Sequence, residues 1–212
     1  RASNTSSSSN VKNQIMIAYY PPLLQMNLTM AISDFELSWS LKLQLCNDVI
    51  SAVTYLHESN IVHRAINPNV VLIDADWHAR LSGFYDCVSK ELCDTIPSNK
   101  IVTIQDDFCA SPELLMSHIS GTSGDIFSTI ATIVTLLLPE AEHDHNPFKS
   151  RSSDNQYAVS QKELRDVLPS QCRRELVDIA VECSSSITSR RYSALECSRV
   201  IHSVVINGDG SS

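Results

Sequence analysis

No run of lysine or arginine in this sequence is longer than two, as at Arg173-Arg174 and Arg190-Arg191. Sixteen basic residues stand against 24 acidic ones, a net charge of −8. Phosphate neutralisation and docking on an anionic membrane both need a basic surface, so the composition argues against nucleic-acid and membrane partners. Nor is any apolar run long enough to span a bilayer. The best, residues 126–138, carries Ser and Thr between Asp125 and Pro139, where a spanning helix needs roughly 20 residues. It reads as a buried core helix. No basic segment followed by an apolar one opens the chain, so no secretory leader is expected. Seven cysteines, at 46, 87, 93, 109, 172, 183 and 197, are odd in number and lack C-x-x-C spacing. This suits reduced thiols and a cytoplasmic location. No G-x-G-x-x-G occurs, and no internal repeat is visible.

What is present suffices for one domain: 212 residues, 43% of them hydrophobic. Residues 1–13 are rich in serine and read as a disordered tail, and 207–212 as a flexible end. Residues 14–20 read as a strand stopped by Pro21-Pro22. Residues 27–32 suit a short helix. Ser38 can cap a long helix from 39 to about 58, with Leu41, Leu45, Val49, Val53 and Leu56 near one stripe. Two β-rich runs, 70–73 and 79–82, flank a turn at 74–78 and predict a small hairpin. Residues 84–110 show weak periodicity, and an irregular segment of that length is functional or mobile in most domains. Thr122 or Ser123 can cap the apolar helix that follows. Ser193-Ala194-Leu195-Glu196 is a capping-box pattern opening a last helix. The fold class is therefore mainly α with a small β-hairpin.

Several landmarks follow in order: Tyr55-Leu56-His57, Ile61-Val62-His63-Arg64, Pro68 before Val71-Leu72-Ile73, and Leu81-Ser82-Gly83-Phe84. Ser111-Pro112-Glu113, Gly124-Asp125-Ile126 and Arg191-Tyr192-Ser193 come after them. Together they resemble the helical C-lobe of a protein kinase over residues 14–206, with 14–22 as the last N-lobe strand and hinge. The resemblance implies that the N-lobe is largely absent. It implies that His63 and Phe84 stack in the lobe's hydrophobic spine. Asp125 would accept hydrogen bonds from the backbone at His63 and Arg64. Glu113, preceded by Pro112, would pair with Arg191. Subfamily features are mixed: the His-Arg, Leu-Ser-Gly and Ser-Pro-Glu patterns look like the STRAD pseudokinase adaptors, and Leu37-Ser38-Trp39 resembles the tyrosine-kinase-like branch.

The chemistry departs from the family. Its catalytic loop, H-R-D-x-x-x-x-N, uses the Asp to orient a substrate hydroxyl and the Asn to hold a metal. Here those positions are Ala65 and Val70, and the loop Lys position is Asn67. The metal-binding D-F-G reads Gly83-Phe84-Tyr85. Asn69 faces away from the metal position if the chain there is extended. The expectation is a pseudokinase that is no enzyme, with no catalytic, cofactor-binding or metal-binding residues. It would regulate or scaffold by binding another protein, an active kinase being one candidate. It could self-associate through a lobe interface at Tyr19, Tyr20 and Leu72. Two alternatives stay open: an atypical phosphotransferase with relocated ligands, Asp86 being the nearest acid to Gly83, and a metal-independent nucleotide-binding switch.

Other residues have a plain and a functional reading. His63 is a structural imidazole or a catalytic one. His143-Asp144-His145 and Asp106-Asp107 are solvated loops or metal ligands. Cys87, Cys93 and Cys109 are ordinary thiols or redox sensors. Tyr85, Thr95, Ser98 and Thr103 are accessible to phosphorylation if their segment is mobile.

Overall fold

Asn27, Ser38, Ser111, Ser160 and Ser193 each begin a helix, and the architecture follows from where these caps fall. At each, a side-chain oxygen accepts a first-turn amide that has no partner inside the helix. The computed structural model describes residues 26–98 and 102–208. In chain order they form β1 (Met26–Asn27), α1 (Leu28–Asp34), α2 (Trp39–Glu58), β2 (Ile61–Val62), β3 (Val71–Ile73) and β4 (Ala79–Leu81). Then come β5 (Val88–Ser89), α3 (Pro112–Ser117), α4 (Thr122–Leu137), α5 (Gln161–Val167), α6 (Arg174–Cys183) and α7 (Ala194–Gly208). The architecture is mostly helical with a small sheet. The strand expected at 14–20, the Pro21-Pro22 stop, the tail at 1–13 and residues 209–212 lie outside the described residues.

The hairpin forms where the two β-rich runs predict it. β3 and β4 pair antiparallel, Val71 opposite Leu81 and Ile73 opposite Ala79. Asp74 shapes the turn, accepting the amides of Asp76 and His78. β1 adds to the free edge of β3, with Met26 opposite Ile73. A second ladder pairs β2 with β5, Ile61 opposite Ser89.

α4 is the centre of the core. Every residue from 124 to 134 is buried, so the helix is enclosed on all sides. Its threonine hydroxyls bond within the helix: buried Thr129 and Thr132 and half-buried Thr135 donate to the carbonyls of Asp125, Ser128 and Ala131. α2 lays Leu45, Val49, Val53 and Leu56 inward and packs on α4 and α7. Among the described residues no helix is long and apolar enough to cross a membrane.

Two details differ from expectation. Neither Thr122 nor Ser123 caps α4; the helix starts at Thr122, and Gly121 takes the cap position with no side-chain bond. The Gly121 carbonyl accepts the amides of Gly124 and Asp125 instead. Ser120 approaches so closely that a Cβ on Gly124 would lie 1.7 Å from its Oγ. At the other end, Asn207 and Gly208 belong to α7 rather than to a flexible end. The Arg173 guanidinium donates to the Asn207 carbonyl, which ties that last turn to the start of α6.

Candidate functional site

The site is the loop that leaves β2 and runs through His63 to Val70. Its start is fixed by one carboxylate. Asp125, in the first turn of α4, is 1% exposed. Its Oδ2 accepts the His63 amide and its Oδ1 the Arg64 amide, both at 2.7 Å. His57 at the end of α2 places its Nε2 3.0 Å from Oδ2. Arg64 itself is held in the left-handed region, φ +65°, a conformation that a non-glycine residue keeps only when its surroundings impose it.

His63 is fully buried, and its ring is saturated. Nε2 lies 2.7 Å from the Ser82 carbonyl, which can only accept, so that nitrogen carries the hydrogen. Nδ1 then accepts the Ala65 amide at 3.3 Å. This is the neutral imidazole, and burial pushes its pKa below the usual value. The ring packs on Phe84, centroids 5.0 Å apart. With both nitrogens engaged, this geometry is that of a structural imidazole.

Arg64 reaches into the segment that the sequence marks as irregular. Its Nε donates to the Asp86 carbonyl, Nη1 to the Ile96 carbonyl and Nη2 to Asp86 Oδ1. Ser98 Oγ donates to Asp86 Oδ2 at 2.7 Å, and the Ser98 amide donates to the His118 carbonyl. Asp86, the acid nearest Gly83, is therefore a buried partner of Arg64 and Ser98.

At the far end of the loop the two expected metal positions meet. Gly83 has φ +78°, and a Cβ there would lie 2.6 Å from Val70 Cγ1. Val70 fills the space where a side chain at 83 would point. Between the two ends, Asn67 Nδ2 donates to Asp107 Oδ2 at 2.8 Å. Asn69 Oδ1 accepts the Thr29 hydroxyl, so Asn69 turns toward α1. These residues line a cleft of about 300 Å³ with Phe108, His143 and Lys149. Asp107 is thus half-buried and directed at the loop, not a solvated residue like its neighbour Asp106.

The end of the segment is anchored twice. Pro112 is the first residue of α3, whose cap is Ser111. Glu113 forms a two-pronged pair with Arg191, at 2.6 and 2.9 Å. Arg191 also donates to the carbonyls of Ser185 and Ser123. The second anchor is Arg151, which sequence reasoning missed. It is buried, donates to the carbonyls of Phe108 and Ala110, and lies 4.7 Å from the Phe127 ring centre. Burial lowers its pKa to about 10. Nothing local in Lys149-Ser150-Arg151 signals this role.

The remaining candidates separate. His145 faces Glu142, and Asp144 lies 3.9 Å from Lys149. Among the described residues no three His, Cys, Asp or Glu side chains gather as metal ligands. Burial pushes Cys87 up to about 12 and raises Cys93 and Cys109 as well, the direction of inert thiols rather than redox sensors. Tyr85 is exposed, while Ser98 is engaged with Asp86. Tyr19 and Tyr20 lie outside the described residues, and Leu72 is half-buried in the hairpin.

Residues 16–202 match the family described as the protein kinase domain. The chain is similar to a probable serine/threonine-protein kinase of Dictyostelium discoideum, 26% identical over 149 residues, which covers 70% of this chain and 34% of that protein. It is similar to the dual specificity protein kinase shkB of the same organism, 25% identical over 178 residues, covering 83% and 26%. A stretch of 60 residues is 43% identical to the non-functional pseudokinase ZED1 of Arabidopsis thaliana, covering 27% and 18%. The chain spans about a third or less of the length of these curated relatives. Their names correct the expectation that the chain is no enzyme. Most of these relatives are named as serine/threonine protein kinases, whereas the pseudokinase match is partial. The expectation counted Ala65, Val70 and Gly83 and gave Asp107 a solvated loop as its plain reading, whereas its carboxylate does reach the loop.

Proposed function

We propose a regulatory, protein-binding role in signalling for this chain, which belongs to the protein kinase domain family. The observation that carries it is the imposed shape of the segment after Gly83. Arg64 holds the backbone at Asp86 and Ile96, and the Ser98 amide holds the end of α3 at His118. That frame carries Tyr85, Ile96 and Met116 as large exposed side chains. A surface whose backbone is already ordered loses little entropy when a partner docks. The partner in this reading is another protein, an active kinase among the candidates, met in the cytoplasm.

The test uses the full-length protein with Tyr85→Ala and Met116→Ser. Proximity labelling in cells should lose a defined set of neighbours relative to the unaltered protein, with the melting midpoint unchanged. An identical set of neighbours would sink this surface.

A second reading, phosphoryl transfer with relocated ligands, is favoured by the relatives' names and by Asp107. Asp86 is committed to Arg64, so Asp107 beside Asn67 is the carboxylate on which this reading rests. Label transfer from Mg²⁺-ATP by the full-length protein should fall at least about tenfold in Asp107→Asn, about 1.4 kcal/mol of barrier. Equal rates would remove Asp107 from the chemistry. A rise in melting midpoint with ATP but without Mg²⁺ would support a nucleotide-binding switch.

A further inference from the structure

Two of the seven cysteines face each other. Cys183 ends α6 and Cys197 lies in the first turns of α7; both are fully buried, with their sulfurs 3.7 Å apart. The loop between them, residues 184–196, carries Arg191. The Tyr192 amide donates to Cys183 Sγ at 3.4 Å. The Cys197 thiol, the Tyr192 amide and the Arg191 charge together hold the Cys183 thiol below its ordinary value, against the opposing effect of burial. Burial raises Cys46, Cys87, Cys109 and Cys172.

A way in exists. Arg191, Tyr192, Ser193 and Ala194 line a cavity of about 530 Å³, walled on its other sides by residues of α2 and α4 such as Thr54 and Ser123. Tyr192, whose amide touches Cys183, belongs to that wall. Tyr192 thus joins the two places, its amide on the buried sulfur and the residue itself in the cavity wall, while neither cysteine lines the cavity.

We propose that Cys183 and Cys197 are a site of reversible oxidation by hydroperoxides, yielding a disulfide that ties the end of α6 to the start of α7. The Cys183 thiolate attacks one peroxide oxygen, the O–O bond breaks, and the other oxygen leaves as hydroxide, which takes a proton to become water. Cys183 is then a sulfenic acid. Cys197 gives up its proton and attacks that sulfur; the S–S bond forms, the S–O bond breaks, and a second water departs. Two thiols lose two electrons, and one hydrogen peroxide becomes two waters. Bond formation asks the sulfurs to close to about 2.05 Å. The closed loop includes Arg191, so the linkage fixes the residue that holds Glu113. This inference does not rest on the regulatory role above.

The test is graded hydrogen peroxide on the folded protein, followed by thiol blocking in denaturant and mass analysis. The expected product carries five blocking groups where the untreated protein carries seven, and its non-reducing digest joins the Cys183 peptide to the Cys197 peptide. Its melting midpoint rises by about 5–10 °C, as for a disulfide closing a loop of this length, and returns on reduction. In Cys197→Ala, which keeps the core apolar, dimedone should label Cys183. A joined pair other than these two, dimedone at another cysteine, irreversible oxidation of Cys183 in the unaltered protein, or no change in mass would each overturn the assignment.

Discussion

The two ends of the loop from His63 to Val70 use their side chains in opposite ways. At the first, three nitrogens converge on one buried carboxylate, and a residue is kept in the left-handed region to allow it. At the last, the hydrocarbon side chain of Val70 rests on Gly83, and no side-chain carboxylate gathers the backbone, which bonds locally, the Val70 amide to Asn67 and the Val70 carbonyl to Ser82. Polar saturation tolerates almost no substitution, because each lost acceptor leaves a buried donor unmatched. Hydrocarbon contact tolerates whatever fits the space. The difference explains how a loop can keep its shape at one end while its residue types change at the other.

Breaking the first end should have the largest effect. Asp125→Ala leaves the amides of His63 and Arg64 without an acceptor, and chemical denaturation should show a loss of about 3–5 kcal/mol. A loss under about 1 kcal/mol would mean that the loop is held by something else. Next comes the anchor at the segment's end. Arg191→Met strands Glu113 and the carbonyls of Ser185 and Ser123, and should cost about 3 kcal/mol by the same measurement. At the second end the effect is smaller and reads out space. Gly83→Ala should cost about 1–3 kcal/mol from its φ and its contact with Val70. Val70→Ala in the same molecule relieves the contact but not the φ, so the pair should be non-additive by about 1 kcal/mol. Strict additivity would break the comparison at this end.

The smallest effect is a pH slope. Burial holds the His63 imidazole below its usual value of 6.5. The unfolded chain therefore takes up a proton at higher pH than the folded one does. The contribution of the neutral ring is whole above 6.5 and is lost as the pH falls from there toward the lower folded value. Denaturation midpoints at about pH 7.5 and about pH 5.5 should differ more in the unaltered protein than in His63→Gln. Equal differences would show that His63 does not titrate between the two states.

What could be read from the sequence divides along the same lines. α2 is legible to the residue because Ser38 is a good cap and the apolar stripe keeps helical spacing. The hairpin is legible because its turn is built by Asp74 acting locally. The contacts of Asp125 with the loop and of Glu113 with Arg191 follow from a recognisable order of motifs. The β2–β5 ladder is not legible, since two-residue strands have no pattern and their register is set by tertiary contact. Asp86 stands open as a relocated ligand because sequence shows its distance from Gly83 and not the buried Arg64 it faces. Arg151 is missed, and the contact of Asp107 with Asn67 is not foreseen, for the same reason: these partners are about 40 residues away.

The packing of α2 against α7 sets a condition on how the chain is made. The inward face of α2 emerges early and finds its largest helical partner only about 140 residues later, roughly 10–30 seconds at ordinary synthesis rates. During that interval Leu45, Val49 and Val53 have α4 for partial cover and nothing on the side that α7 will occupy. Nascent chains of this protein should therefore hold to a chaperone until α7 has left the ribosome, and a ribosome paused before α7 should accumulate aggregation-prone chains.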